Sequence, residues 1–514
     1  MLKGTPPLLR RAALAGFWCG AWALPMRGQM DQAAARYAAT ITEAGLRSHL
    51  EVLASDAFEG RELGTPGEKK AAAYIVEQFR GFGIGPISRA QERGLLADGY
   101  RQQFPVERVR MGGLSMRVAG KEFTFGKDLL YFQEALTHAL KVPEVMLLGP
   151  VTAGGTRLGG GSKVVMYWAA GNTGLMEGKD LLAALSGTGT EVLLVVNDSA
   201  GAFMARFGES LLRGRMQLAE GGGQREGKDM QLVVVSPEVA RYMLQAAGMK
   251  EKRALKESAR KRVMVRVPVE FAYTNRSERL TGENVLGYVQ GTDLRNELVV
   301  VSAHYDHVGK IDGEVYNGAD DDGSGTSAVL AMAGAFAKAR SEGNGPRRSM
   351  LFLTVSGEEK GLFGSRWYTD HPVFPLDSTV ADLNIDMIGR TDTVYGDSSR
   401  YVYVIGSKRL SSELGAVVEE QNAAHVHLGL DYRFDSDDDP NRFYYRSDHY
   451  NFAKHGIPVA FFFNGVHADY HGPHDEVDKI RFDLLLQRTL LVYYTAWAIA
   501  NRDQRPALDA GKGN

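Results

Sequence analysis

The sequence predicts an α/β fold, with a mixed, mostly parallel central sheet flanked by helices and a small inserted α/β or β-rich domain. Two observations support this prediction. From Arg262 onward, apolar strand-like runs alternate with helix-like runs, which is typical of a sheet covered on both faces. Between about residues 140 and 262, glycine clusters separate short apolar runs, which indicates a compact insertion. A chain of 514 residues, 44% hydrophobic and 24% charged, is long enough for two or three globular domains.

The N-terminal segment, residues 1–28, has the pattern of a signal peptide. Basic residues precede an apolar run from Ala12 to Leu24, which is too short to span a bilayer. Cleavage after Ala23 fits the small-x-small rule, and cleavage near Gly28 is also possible. We therefore expect a secreted or periplasmic protein without stable membrane insertion after cleavage. Cys19 is the only cysteine and lies in this segment, so the mature chain would contain no disulfide.

Residues 29–135 are expected to form the N-terminal part of the main domain. Leu46, Leu50 and Leu53 recur at helical spacing and predict an amphipathic helix. A Gly/Pro loop follows at Glu59–Glu68. The next run, KKAAAYIVEQFRGFG, predicts a second helix closed by glycine.

The proposed insertion covers residues 136–262, where KVVMYWAA, DLLAALSGTG, EVLLVVND and QLVVVSPEVARYML predict strand, helix, strand, and strand leading into helix. The main domain resumes over residues 263–505, and residues 506–514 form a tail. In this second part, strands are expected at ENVLGYVQG, ELVVVSAH, SMLFLTVSG, DLNIDMIG, YVYVIG and IPVAFFFNG. Helices are expected at TSAVLAMAGAFAKAR, near Glu413–Gln421, and at Phe482–Ala500.

Acidic and histidine side chains follow several of the predicted strands. In open α/β sheets ligands bind beyond the carboxyl ends of the strands, so these side chains are expected to meet there. They are His304 and Asp306, Glu358 and Glu359, Asp386, and His471.

The segment GADDDGSG places three adjacent aspartates, Asp320–Asp322, between glycines. Like charges at this spacing repel, and a solvated acidic turn is the ordinary interpretation. Imidazole and carboxylate ligands suit zinc where thiolates are absent, and a bridging carboxylate can serve two zinc ions. A divalent pair would neutralise the crowded carboxylates. The net charge of −2 provides no global field for nucleic acid or an anionic membrane, so no nucleic-acid partner is expected.

Five motifs carry a family resemblance: HYD, GADDDGSG, SGEEKGLFGS, NIDMIG and YHGPHDEVDKI, in this order. They resemble the co-catalytic di-zinc aminopeptidases, a family that includes glutamate carboxypeptidases, glutaminyl cyclases and the related transferrin receptors. The resemblance covers most of Arg262–Ala500 and implies the zinc-peptidase fold. LASDAFEGRELGTPGE is similar to members of the family, and the insertion resembles a protease-associated domain.

The resemblance implies two Zn²⁺ per chain and a specific ligand set. Asp320 would bridge the two ions, His304 and Asp386 would complete one, and Glu359 and His471 the other. The family often has a cis peptide bond after the bridging aspartate, here Asp320–Asp321.

Three further roles follow from the resemblance. Glu358 would be the general base, and the Asp306 carboxylate would accept a hydrogen bond from His304. Tyr444 would stabilise the oxyanion, with Tyr445 and Tyr470 as alternatives. A filled ligand set leaves other polar side chains in supporting or surface roles, and these are His307, His449, His474, Asp321 and Asp322.

The leading function is therefore a zinc-dependent exopeptidase that removes N-terminal residues from peptide substrates. The same scaffold leaves glutaminyl cyclisation and carboxypeptidase action on acidic C-termini open. A receptor-like binding protein is disfavoured because every ligand position is filled. The residue preference and the oligomeric state are not predicted.

Overall fold

The computed structural model describes residues 32–131, 139–149, 161–168, 181–197, 202, 214–219, 230–396 and 399–509. The predicted signal peptide and the end of the predicted tail lie outside these residues. The chain divides into two compact units, one formed by 1–104 with 282–514 and the other by 105–281.

The sheet of the first unit confirms the mixed, mostly parallel architecture. Its strands are β11 (Val269–Val289), β12 (Leu294–His304), β15 (Arg348–Val355), β16 (Thr379–Ile385), β17 (Tyr401–Ile405), β18 (Gly429–Asp431) and β19 (Val459–Phe463), and β13 (Gly309–Ile311) and β14 (Glu314–Tyr316) form a separate antiparallel pair. The order of the sheet in the described part of the chain is β18-β17-β19-β16-β12-β15-β11. The pairs β12–β15, β12–β16, β16–β19 and β17–β18 are parallel, and β11–β15 and β17–β19 are antiparallel.

Helices cover this sheet, and their apolar spacing explains why they form. The first predicted helix is Glu43–Leu53, in which Leu46, Leu50 and Leu53 are buried and the Thr42 side chain caps the first turn. The α-helices of the unit include Glu43–Leu53, Pro66–Gly81, Ser88–Glu92, Gly325–Ser341, Phe363–Asp370, Ser412–Gln421, His449–Ala453 and Phe482–Asn501. Across the described residues, no helix is both long enough and apolar enough to cross a membrane.

The second unit has its own sheet and core. Its described strands are β1 (Arg101–Val118), β2 (Lys121–Thr124), β3 (Leu129–Tyr131), β4 (Leu140–Val142), β5 (Val145–Leu148), β6 (Val164–Tyr167), β7 (Val192–Val196), β8 (Arg215–Leu218), β9 (Gln231–Val235) and β10 (Val263–Val265). Six of them pair in the order β10-β5-β6-β7-β9-β3, with β5–β6, β6–β7 and β7–β9 parallel. The helices Pro237–Ala246 and Glu251–Ser258 belong to this unit.

The unit boundaries differ from those expected for the insertion. The second unit spans 105–281, whereas the change of sequence texture suggested 136–262. The reason is that β1 and β11 each run through a boundary as one continuous strand. No loop signal marks these two boundaries in the sequence, so composition alone predicts an insertion that is shorter at both ends than the second unit.

The first unit is held by an aromatic cluster around Phe336. This ring lies 5.8 Å from Phe352, 5.3 Å from Tyr493 and 5.4 Å from Trp497 between ring centroids. Phe336 is fully buried. The helix Gly325–Ser341 is therefore fixed between the sheet and the C-terminal helix.

Phe336→Ala should destabilise the first unit by about 3–5 kcal/mol, because it removes a buried ring and leaves a cavity. Urea unfolding followed by circular dichroism measures the loss. Val394→Ala is the control, since Val394 is 57% exposed and should change stability by no more than about 0.5 kcal/mol. Equal effects of the two substitutions would contradict this assignment of the core.

Candidate active site

The carboxyl ends of four neighbouring strands converge on one edge of the sheet. β12 ends at His304, whose register partner is Val355, the last residue of β15. β16 ends at Ile385, paired with Phe462 of β19. Because these pairs are parallel, the segments after them, which carry Glu358, Glu359, Asp386 and His471, emerge at the same edge.

A tight turn, Ala319–Ser324, carries the three aspartates into the helix Gly325–Ser341. Its non-proline cis peptide bond joins Asp321 and Asp322, so the expected position, Asp320–Asp321, is wrong by one residue. Gly318 opens the turn at φ +55°, and a Cβ there would collide with the Asp321 carbonyl and the His307 ring.

Two clusters of potential metal ligands share Asp321. The first contains His304 and Asp386, with His304 Nε2 at 3.3 Å from Asp321 Oδ1 and 3.5 Å from Asp386 Oδ1. The second contains Glu359 and two imidazoles. His471 Nε2 lies 3.1 Å from Asp321 Oδ2 and 3.0 Å from Glu359 Oε2.

His307 adds a second imidazole to the Glu359 cluster. Its Nδ1 lies 2.9 Å from Glu359 Oε1 and 3.7 Å from Asp321 Oδ2, and the ring is fully buried. His307 was expected to be a supporting residue because the ligand set was already filled. The HYDH spacing, with imidazoles three residues apart, was the available signal.

Asp320 does not lie in either described cluster, so it is corrected as the bridging candidate. Its Oδ1 accepts a hydrogen bond from the Gly389 backbone N–H at 2.6 Å, and its Oδ2 lies 3.3 Å from His467 Nε2. The physical reason is the turn itself, in which Asp475 accepts hydrogen bonds from the backbone N–H groups of Asp320 and Asp321. That anchoring leaves the Asp321 carboxylate between the clusters.

The two clusters fit divalent cations. Buried polar atoms normally make hydrogen bonds, yet several potential ligand atoms make none: His304 Nε2, both His307 ring nitrogens, Asp321 Oδ2 and Glu359 Oε1. Their donor set of imidazole nitrogen and carboxylate oxygen suits zinc. Buried nitrogen and oxygen atoms without hydrogen bonds are free to coordinate a metal ion.

The pKa values of the neighbouring Glu358 and Glu359 shift in opposite directions. Burial raises the pKa of Glu358 well above its ordinary value. Burial and Asp321 also act to raise the pKa of Glu359, but the close imidazoles of His307 and His471 outweigh them and lower it to about 2. Glu359 is thus held as a carboxylate, which suits a ligand, whereas Glu358 is suited to accept and return a proton.

Two of the imidazoles, His304 and His471, have raised pKa values. Burial lowers the pKa of His471, but the close carboxylates of Asp321 and Glu359 raise it to about 10. At His304, burial is likewise outweighed by Asp386 and Glu358, and the pKa rises well above its ordinary value. Metal binding must therefore displace protons from these rings.

Asp306 contacts His304 differently from the expectation. His304 Nδ1 lies 3.0 Å from the Asp306 backbone carbonyl, and the Asp306 carboxylate is 3.7 Å away. That carboxylate instead accepts a hydrogen bond from the Glu358 backbone N–H at 3.2 Å. Asp306 therefore positions the segment that carries Glu358.

A pocket adjoins the clusters and contains Asp321, Glu358, Asp386 and Tyr470. Apolar side chains complete much of its wall, namely Met387, Phe443, Phe461, Phe463 and Val466.

Tyr444, the expected oxyanion residue, does not line this pocket. It is buried beneath the Arg409 guanidinium, 4.0 Å from the ring centroid. Tyr445 also lies outside the lining. Tyr470, one of the alternatives, is the tyrosine in position.

Two buried charged residues near the N-terminus were missed as site residues. Arg61 donates hydrogen bonds to the backbone carbonyls of Tyr305, Asn317 and Gly318, which fixes both ends of the segment leading to the turn. Glu68 accepts one from Ser356 Oγ at 2.8 Å, just before the Glu358 loop. The EGRELGTPGE loop was the only signal for either residue.

Comparisons with known proteins identify the family of the segment that carries these clusters. Residues 284–496 match the model of peptidase family M28. This segment is an M28 peptidase domain. The family resemblance drawn from the sequence motifs is thereby confirmed.

A curated aminopeptidase is similar to part of this chain. The chain is 28% identical to aminopeptidase YwaD of Bacillus subtilis (strain 168) over 243 residues, which are 46% of this chain and 48% of that one. It spans about half or less of the length of the first curated relatives it matches.

Two solved structures share the fold. The aminopeptidase from Aneurinibacillus sp. strain AM-1 aligns with a TM-score of 0.54 at 17% identity, covering 93% of this chain and 98% of that chain. BSAP, a zinc aminopeptidase from Bacillus subtilis, aligns with a TM-score of 0.52 at 18% identity, covering 92% and 98%. The zinc-peptidase fold is therefore confirmed over both alignments.

Asp321→Asn should lower zinc occupancy at both clusters, because it weakens the one carboxylate that they share. Asp320→Asn is the matched control and should retain zinc, since an amide oxygen can still accept the Gly389 N–H bond. Elemental analysis after equilibrium dialysis against buffered zinc measures both. Zinc loss in Asp320→Asn with full occupancy in Asp321→Asn would restore the original assignment.

Proposed function

We propose that the protein is a zinc-dependent exopeptidase that removes N-terminal residues from peptides. The observation that carries the proposal is the pair of ligand clusters joined by Asp321, with Glu358 beside them at the same pocket. The M28 match and the aminopeptidase relatives support this reaction class. Two Zn²⁺ per chain form part of the proposal.

His304 and Asp386 would hold one zinc ion. Glu359, His307 and His471 would hold the other, and Asp321 would contribute to both sites. When bound, the metal ions supply Lewis-acid polarisation of the scissile carbonyl and activation of water. Glu358 accepts the proton of the attacking water and returns it to the leaving amine. Asp306 holds the Glu358 backbone for this transfer, and the Tyr470 hydroxyl donates to the developing oxyanion.

Glu358→Gln should reduce turnover by about 10²–10⁴-fold, because the amide cannot accept the proton. Its zinc content should stay at the wild-type level. Glu359→Gln is the contrasting variant and should lose zinc as well as activity. Full metal with near-wild-type turnover in Glu358→Gln would remove Glu358 from the role of base.

The exopeptidase reaction itself can be tested with three peptides: Leu-Gly-Gly, its N-acetylated form, and Gln-Gly-Gly. We expect release of free leucine and free glutamine from the unblocked peptides and none from the acetylated one. Mass spectrometry separates these products. Conversion of Gln-Gly-Gly to its pyroglutamyl form would instead indicate a cyclase, and cleavage of the blocked peptide would contradict N-terminal specificity.

The proposal places this activity outside the cytoplasm. The basis is the leader-like pattern of residues 1–28, with its basic start and short apolar run. N-terminal sequencing of the protein recovered from a periplasmic extract or culture medium tests it.

A further inference from the structure

One positive side chain lies in the pocket among the acidic ones. Arg446 follows the short turn Phe443–Tyr445 and lines the same pocket as Asp321, Glu358 and Asp386. Arg446 is exposed, whereas Asp321 is buried and Glu358 keeps only 13% of its side-chain surface exposed. The pocket therefore presents a solvent-accessible guanidinium beside its reactive carboxylates.

Arg446 has no carboxylate partner within 4.0 Å in the part of the chain that the structure describes. Its guanidinium instead lies over the Phe443 ring, 5.0 Å from the centroid. The nearby Asp386 accepts a hydrogen bond from Ser447 Oγ at 2.7 Å. The positive charge is therefore held in place by stacking, with its hydrogen-bond donors left to an incoming ligand.

The neighbouring arginines either form ion pairs or lie outside the pocket. Arg409 forms ion pairs with Asp435 and Asp437, and Arg390 with Asp469. Arg442 immediately precedes the turn and stacks on Tyr445 at 4.8 Å, but it does not line the pocket. Arg446 thus combines a pocket position with unpaired donors.

We propose that Arg446 binds a substrate carboxylate next to the scissile bond and makes the enzyme selective for acidic substrates. This inference rests on the proposed exopeptidase function and adds a substrate class to it. A guanidinium presents paired N–H donors that match the two oxygens of a carboxylate. The carboxylate can belong to the side chain of an acidic N-terminal residue or to the free C-terminus of a dipeptide.

Two matched substrate pairs distinguish these sources. Glutamyl- and glutaminyl-aminomethylcoumarin differ in side-chain charge at nearly constant shape, and Leu-Gly and leucyl-glycinamide differ in the C-terminal charge. The ratio of kcat/KM within each pair is measured for wild type, Arg446→Gln, Arg446→Lys and the control Arg442→Gln.

Arg446→Gln should lower one of the two ratios roughly tenfold or more, as expected for loss of a charge-assisted hydrogen bond. Arg446→Lys should restore part of it, and Arg442→Gln should leave both ratios unchanged. A fall in the ratio for the two coumarin substrates would show that Arg446 binds the acidic side chain. A fall in the ratio for Leu-Gly and leucyl-glycinamide would show that it binds the C-terminal carboxylate. Unchanged ratios in Arg446→Gln, with neutral substrates still cleaved, would overturn the proposal.

Failure of the exopeptidase function gives a different result. In that case the wild-type enzyme hydrolyses none of the four compounds. Calorimetric binding of the same compounds to Glu358→Gln, with and without Arg446→Gln, then decides the role of Arg446. Charge-selective binding that depends on Arg446 supports the role, and its absence overturns it.

Discussion

The burial of several carboxylates around Asp321 is the constraint on which this site depends. Asp321, Glu359 and Asp386 lie within a few ångströms of three imidazoles, and Asp321 is shared by both clusters. Buried like charges repel strongly unless cations neutralise them. The raised pKa values of His304 and His471 favour their cationic forms beside these carboxylates, and divalent ions would neutralise the carboxylates more fully. The scaffold must therefore hold these side chains together against their repulsion.

The scaffold meets this demand with hydrogen bonds to the backbone. Arg61 holds the carbonyls of Tyr305, Asn317 and Gly318, and Asp475 holds the N–H groups of Asp320 and Asp321. Parallel strands supply the remaining positions, because their carboxyl ends meet at one edge. Residues that are distant in sequence, from Arg61 to Asp475, thus hold the short turn that carries the three aspartates.

Sequence patterns predicted most of this arrangement and missed the part set by the turn. Strand-end placement identified His304, Glu358, Glu359, Asp386 and His471, because a strict alternation of strands and helices constrains where loops emerge. The choice among three adjacent aspartates depends on backbone hydrogen bonds that no periodicity encodes. Both the carboxylate shared by the two clusters and the cis bond were therefore expected one residue too early. Tyr444 was similarly chosen by spacing, whereas burial under Arg409 removes it from the pocket.

The most direct test is anomalous diffraction at the zinc edge from crystals of the zinc-loaded protein. We expect two peaks, both within bonding distance of the Asp321 carboxylate. One peak should also contact His304 and Asp386, and the other Glu359 and at least one of His307 and His471. A single peak, or a peak bonded to Asp320 in place of Asp321, would contradict the shared-carboxylate centre.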